Sequence, residues 1–244
     1  MHPGLLMVDI MHTLDLGVAP RLAGHIMIFA VKHGVFGPCT GLQGLKAGIS
    51  RMNLAWRAYF RRANWGTLRG RRPRGLRLTM KSLMVSSMSD TGHLKAKARP
   101  SRSALGFAFS LLKRQDAPDM GLVEASHLRR AAKALLSAYE LMSTGSRQID
   151  SNLLGRRLEA CFQHAKLANV RPLPKFHLMR HLGQLSARAG NPKCFSCYMD
   201  EDHHRGIVAA AQKSFTADFS ARILSKERCL LRLRRKKPVE VDRI

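Results

Sequence analysis

A chain of 244 residues that is 45% hydrophobic, 24% charged and 6% aromatic holds enough apolar material for a sizeable core. That excludes disorder throughout and a small disulfide-stapled scaffold, and the length suits one large domain, two small ones or a piece of something bigger. The 42 Lys and Arg against 16 Asp and Glu give a formal net charge of +26 and a sequence pI near 11.2. Such a surplus repels itself and needs a polyanion or a counterion cloud, with nucleic acid the first candidate and an acidic membrane surface the second; it disfavours an enzyme for small neutral substrates.

Residues 7–31 form the first predicted helix, because Met7, Ile10, Met11, Leu14, Val18, Leu22 and Ile26 recur at steps of three and four. Asp9 interrupts the apolar run where a signal peptide needs its hydrophobic segment, and Asp15, Arg21, His25 and Lys32 break the stretch 14–36, so neither a leader nor a membrane span is expected. Gly34, Gly37 and Pro38 stop this helix, and a second spans 42–63 with Leu45, Ile49, Met52 and Phe60 along one side. From 61 to 81 arginines alternate with Gly66, Gly70, Pro73 and Gly75, which reads as a basic loop with a short strand at 76–85. Residues 86–103 are polar and broken by Gly92 and Pro100, and 104–113 fit a short helix.

The cleanest helix is 122–142, with Ala125, Leu128, Ala132, Leu135, Leu136, Tyr139 and Met142 as its core stripe and Arg129, Arg130 and Lys133 outside. Helix 153–168 follows through Leu154, Leu158, Cys161, Ala165 and Ala168. Pro172 and Pro174 open the next, whose stripe is Leu178, Leu182, Leu185 and Ala189 and which Gly190, Asn191 and Pro192 end. A last helical region covers 200–235. The expected fold is mainly α: an irregular helical bundle with an Arg/Gly-rich loop and at most a short strand or two. Its expected parts are an N-terminal helical pair (1–60), a basic, loop-rich segment (61–103) and a C-terminal helical bundle with a basic tail (104–244).

Three places carry chemistry. Asp9 and His12 stand three residues apart on one helical face, an arrangement that suits a metal, a proton relay or a hydrogen bond that fixes the imidazole; Asp15 extends that face and reads equally as solvated. His177 and His181, one turn apart, precede Cys194 and Cys197, together the ligand types and number of a tetrahedral zinc site, although packing histidines and free thiols explain them as well. The five cysteines, Cys39, Cys161, Cys194, Cys197 and Cys229, are odd in number and scattered, as reduced intracellular thiols are. Asp200, Glu201 and Asp202, ahead of His203 and His204, are conspicuous in so acid-poor a chain, either as metal-binding carboxylates or as ordinary acids at a helix start.

The order of these features resembles CACTA-type DNA transposases: Asp9-x-x-His12 with Gly17 following, Lys175-x-His177-x-x-x-His181-Leu182, then Gly190-Asn191-Pro192 and an acidic residue heading a helix. The resemblance implies an RNase H-like catalytic domain interrupted by a helical insertion, with the β-rich half and its first two catalytic aspartates upstream of Met1. It also implies that Asp9 and His12 match the family's Asp-x-x-His motif, and that Glu201 stands where the family has the glutamate of Phe-Glu-Arg, its third metal-binding carboxylate. Here the chain reads Met199-Asp200-Glu201-Asp202, so Asp200 or Asp202 can equally be the match.

The expected function is accordingly that of a nucleic-acid-binding fragment of a transposase-like protein, catalytically incomplete by itself and using Mg2+ only if its site is completed. The alternatives are a non-catalytic basic helical RNA- or DNA-binding module and a translated transposon remnant without selected function. DNA or RNA contacts are expected from Arg61, Arg62, Arg69, Arg71, Arg72, Arg74 and Arg77 and from Arg234, Arg235, Lys236 and Lys237. The expected partners beyond nucleic acid are a second copy or an upstream catalytic domain, with no membrane, inside the cell and in the nucleus. Asp9, His12 and Glu201 are expected to approach one another, because the insertion of the resembled family leaves its catalytic core and returns to it.

Overall fold

The computed structural model describes residues 8–62, 77–113 and 122–196, and these are mainly helical. The first helix opens as a π-helix, Met11–Val18, and continues without a break as α1, Ala19–Lys32; then come α2 (Gly41–Arg62), α3 (Ala98–Leu111), α4 (Leu122–Thr144), α5 (Ser151–Leu167), α6 (Pro174–Ala189) and a single 3-10 turn, Pro192–Phe195. The last predicted helix, 200–235, lies outside the described residues, as do 63–76 of the Arg/Gly-rich loop.

Helix α1 is the axis of the core. Leu22, Ala23, Ile26, Met27, Ala30 and Val31 are all fully buried, because α2, α3 and α4 pack around it. By length and composition Met11–Lys32 could cross a membrane, but 94% of its most apolar window is buried inside the fold, the setting of a core helix. Helices α4 and α5 form a hairpin, with Leu128, Leu135, Ala138 and Met142 of one against Leu154, Leu158, Cys161 and Ala165 of the other. The Asp150 carboxylate caps α5 by accepting the Leu153 N–H at 2.8 Å. Helix α6 then crosses α5 where two glycines meet: a Cβ on Gly183 would lie 2.6 Å from the Gly155 Cα.

Three expectations need correction. No strand forms at 77–85: residues 80–84 are a turn, closed by reciprocal Thr79–Ser82 hydrogen bonds, with Met84 at φ 50°. Leu78 is held instead by the buried Asn53 side chain of α2, whose amide spans both the N–H and the C=O of Leu78. Helix α3 begins at Ala98 rather than 104, so Pro100 sits inside the first turn, where its missing N–H costs nothing. The third concerns the buried face of α6, which is Phe176, Met179, Leu182, Gly183 and Ser186; Leu178 is 40% exposed and Ala189 is exposed. Counting from Leu178 picked a row of leucines about one position off the true contact face.

Two tethers fix the loops. Residues 90–94 lie along α1, with Leu94 N–H on the Pro20 carbonyl at 3.0 Å and Lys32 Nζ on the Asp90 carbonyl at 2.7 Å. Gly92 (φ 77°) abuts Gly24 so closely that a Cβ on either would lie 2.6 Å from the other segment's backbone. At the far end Asn191, fully buried, donates its amide to the carbonyls of Met142, Gly145 and Ser146, tying the end of α6 to the α4–α5 loop.

Candidate functional site

The Asp9–His12 pair lies at the mouth of the π-helix. One carboxylate oxygen of Asp9 accepts both the His12 backbone N–H (2.8 Å) and the His12 ring Nδ1 (2.7 Å), so Asp9 caps the helix start and orients the imidazole at once. A carboxylate on Nδ1 holds the proton there and leaves the basic lone pair at Nε2. Asp9 is 15% exposed and His12 51%, which sets the ring at the surface.

Asp15, one turn further, is not solvated: it is 0% exposed. The Arg102 guanidinium of α3 reaches its two oxygens at 3.4 and 3.0 Å, and the Tyr139 hydroxyl of α4 donates to it. Arg102 also covers the Tyr139 ring, 4.2 Å from its centroid. Three elements are thus joined through one carboxylate, whose burial is tolerable because it is both paired and hydrogen-bonded.

Gly17 leaves room for Lys175 of α6: a Cβ at 17 would lie 2.4 Å from the Lys175 Cδ, and Lys175 Nζ donates to the Leu16 carbonyl at 3.3 Å. The first and second sequence motifs therefore touch, through Leu16 and Lys175, 159 residues apart in the chain. Glu201, Asp200 and Asp202 lie outside the described residues, and so does their expected approach to Asp9 and His12.

On α6, His177 and His181 turn towards each other, Nε2 to Nε2 at 3.0 Å, and Gln184 Oε1 sits 3.0 Å from His181 Nδ1. Cys194 is exposed in the 3-10 turn and Cys197 is outside the described residues. Among the described residues, which do not include Cys197, no three or more His, Cys, Asp or Glu gather in a metal-holding group. A second pair, His127 of α4 and His164 of α5, meets Nδ1 to Nδ1 at 3.1 Å with stacked rings. Burial, then the charges of His127 and Arg130, pushes His164 below its ordinary value.

Of the two predicted basic tracts, the described residues contain Arg61 and Arg77, both exposed, and the backbone of Arg62; Arg69, Arg71, Arg72, Arg74, Arg234, Arg235, Lys236 and Lys237 lie outside them. Arg129, Arg130 and Lys133 of α4 are exposed as expected; on α5 Arg156 is exposed and Arg157 half-buried. Most of the described acids have local partners, and Glu140 is exposed. Asp15 serves Arg102 and Tyr139, Asp9 serves His12, and Asp150 caps α5. Asp90 receives Ser86 and Ser87, which hold its carboxyl at about 2, while Glu124 faces His25 at 3.5 Å and Glu159 pairs with Arg180 at 2.6 Å.

Sequence reasoning missed Arg102, His127, His164 and the role of Tyr139. Nothing in their spacing links them, since each partner comes from a different helix; Asp15, an acid on an otherwise apolar stripe, was the one available signal that a buried cation had to face it. No known protein family, curated protein or solved structure matches this chain.

Proposed function

We propose that this chain is the nucleic-acid-binding part of a transposase-like protein, incomplete as a phosphoryl-transfer catalyst by itself. The observation that supports this reading best is the unbalanced charge: +26 overall, from 42 Lys and Arg against 16 Asp and Glu, with Arg61, Arg77, Arg129, Arg130, Lys133 and Arg156 exposed among the described residues. The burial of Asp15 under Arg102 and Tyr139 takes away a carboxylate that a two-metal site would need, in keeping with incompleteness. In this reading Asp200, Glu201 and Asp202 bring one carboxylate group to a Mg2+ site that an upstream domain or a second copy completes. The working compartment is the nucleus, and the polyanion is DNA.

Filter binding of labelled duplex DNA and of RNA to the purified chain tests the proposal. Retention at low salt that falls by orders of magnitude as salt rises is expected, because each phosphate contact releases condensed counterions. Absence of retention of both nucleic acids at low salt refutes it. Magnesium-dependent nicking of supercoiled plasmid that Glu201→Gln abolishes refutes the incompleteness and keeps the binding.

A further inference from the structure

We propose that His177 and His181 form a surface site for a divalent ion of the zinc class, held by two imidazole nitrogens and open to solvent on its other positions. This is independent of nucleic-acid binding and needs neither cysteine. The two rings come from successive turns of α6, so the helix itself sets their separation, and their Nε2 atoms converge to 3.0 Å. Two nitrogens bound at about 2.0–2.1 Å in tetrahedral geometry lie about 3.3 Å apart, so a few tenths of an ångström of ring movement admits the ion.

The tautomers favour it. Gln184 Oε1 can only accept, so His181 carries its proton on Nδ1 and presents a lone pair at Nε2. This is how metal-binding histidines are commonly oriented, with the far nitrogen donating to a fixed acceptor. His177 then donates its Nε2 proton into that lone pair in the metal-free protein. Binding an ion asks His177 only to move that proton to Nδ1. Both rings are accessible, His177 exposed and His181 partly so, which gives the ion an approach. The neighbouring cation Arg180 is drawn aside by Glu159 at 2.6 Å and lies 4.9 Å from the Phe162 ring centroid, which lessens its repulsion of an incoming dication. The His127–His164 pair, by contrast, bridges two helices with stacked rings, and His164 sits beside Arg130, so it is a structural contact rather than a second site.

Isothermal titration of the full chain with Zn2+ at pH 7.5, with a cysteine-blocked sample alongside, tests the site. The expected result is one Zn2+ equivalent that survives thiol blocking, that His177→Ala and His181→Ala each remove, and that Gln184→Leu weakens about tenfold. His127→Ala should leave it in place. Because the substituted rings are at the surface, circular dichroism of the metal-free variants should match the parent, which separates lost ligands from lost fold. If the His177→Ala/His181→Ala double variant takes up Zn2+ with the same stoichiometry and affinity as the parent, the proposal is overturned. Uptake that disappears on thiol blocking alone also overturns it, by moving the ligands to cysteine.

Discussion

Replacing Arg102 by Met should destabilise the protein by about 3 kcal/mol. The substitution keeps a long apolar stem but strips the guanidinium from a carboxylate that is 0% exposed, leaving Asp15 buried beside the Tyr139 hydroxyl. Removing one partner of a buried pair costs about 3–5 kcal/mol; the lower end applies because the Arg102 side chain is 35% exposed and water can take part of its place. Tyr139→Phe keeps the ring beneath Arg102 and removes only the hydroxyl, a hydrogen bond to a charged acceptor worth about 1.5–3 kcal/mol. Asp15→Leu combined with Arg102→Met removes both charges, and should be more stable than Arg102→Met alone. Urea unfolding followed by far-UV circular dichroism at pH 7 measures all three, read as midpoint shifts at constant m-value. A loss below about 0.5 kcal/mol for Arg102→Met, or a double variant weaker than the single, would refute the account of Asp15 as a joint held by its partners.

Other outcomes follow from the same structure. Gly183→Ala should cost about 1–3 kcal/mol by forcing α5 and α6 apart, while Gly155→Ala, whose Cβ would make an ordinary 3.9 Å contact, should be neutral or slightly stabilising in thermal melts. Burial holds His25 below its ordinary 6.5 despite the opposing pull of Glu124, so the unfolded chain binds its proton more readily: the stability it supports is present above about pH 6.5 and lost as pH falls below it. His25 Nδ1 is also buried with no hydrogen-bond partner among the described residues, so His25→Leu should flatten the decline in urea midpoint between pH 7 and 5; an unchanged slope would sink this reading. Burial pushes the Cys161 thiol up to about 12, so iodoacetamide mapped by mass spectrometry should label exposed Cys194 long before Cys161. Met179→Lys should unfold α6 from the core where Leu178→Lys is tolerated, the reverse of what the leucine spacing suggests.

Helices were legible wherever one apolar face was long and regular. Leu128, Ala132, Leu135 and Met142 placed α4 to within two residues of its end, and Leu154, Leu158, Cys161 and Ala165 did the same for α5. Legibility failed where tertiary partners replaced local preference. Leu78 looked like a strand residue because it is apolar among polar neighbours, yet a side chain from α2 satisfies its backbone. Leu178 looked buried because leucines recurred, whereas the close approach at Gly183 turned Met179 inward. At the site, the local pair Asp9–His12 was readable because both partners sit within one turn. Arg102 and Lys175 were not, since their partners Asp15 and Leu16 lie 87 and 159 residues away.

The π-helix makes the start of the first helix unusually tolerant of a lost residue. Its i→i+5 turns hold about one residue more than α-turns, so a deletion between His12 and Asp15 can be absorbed by relaxing to the ordinary ladder, with the residues on either side keeping close to their present faces. Asp15 could then keep Arg102 and Tyr139 while Asp9 and His12 stay at the surface. The same deletion inside α1 has no such slack: each α-helical residue advances about 100° around the axis, so one lost codon there would turn one half of a fully buried helix against the other.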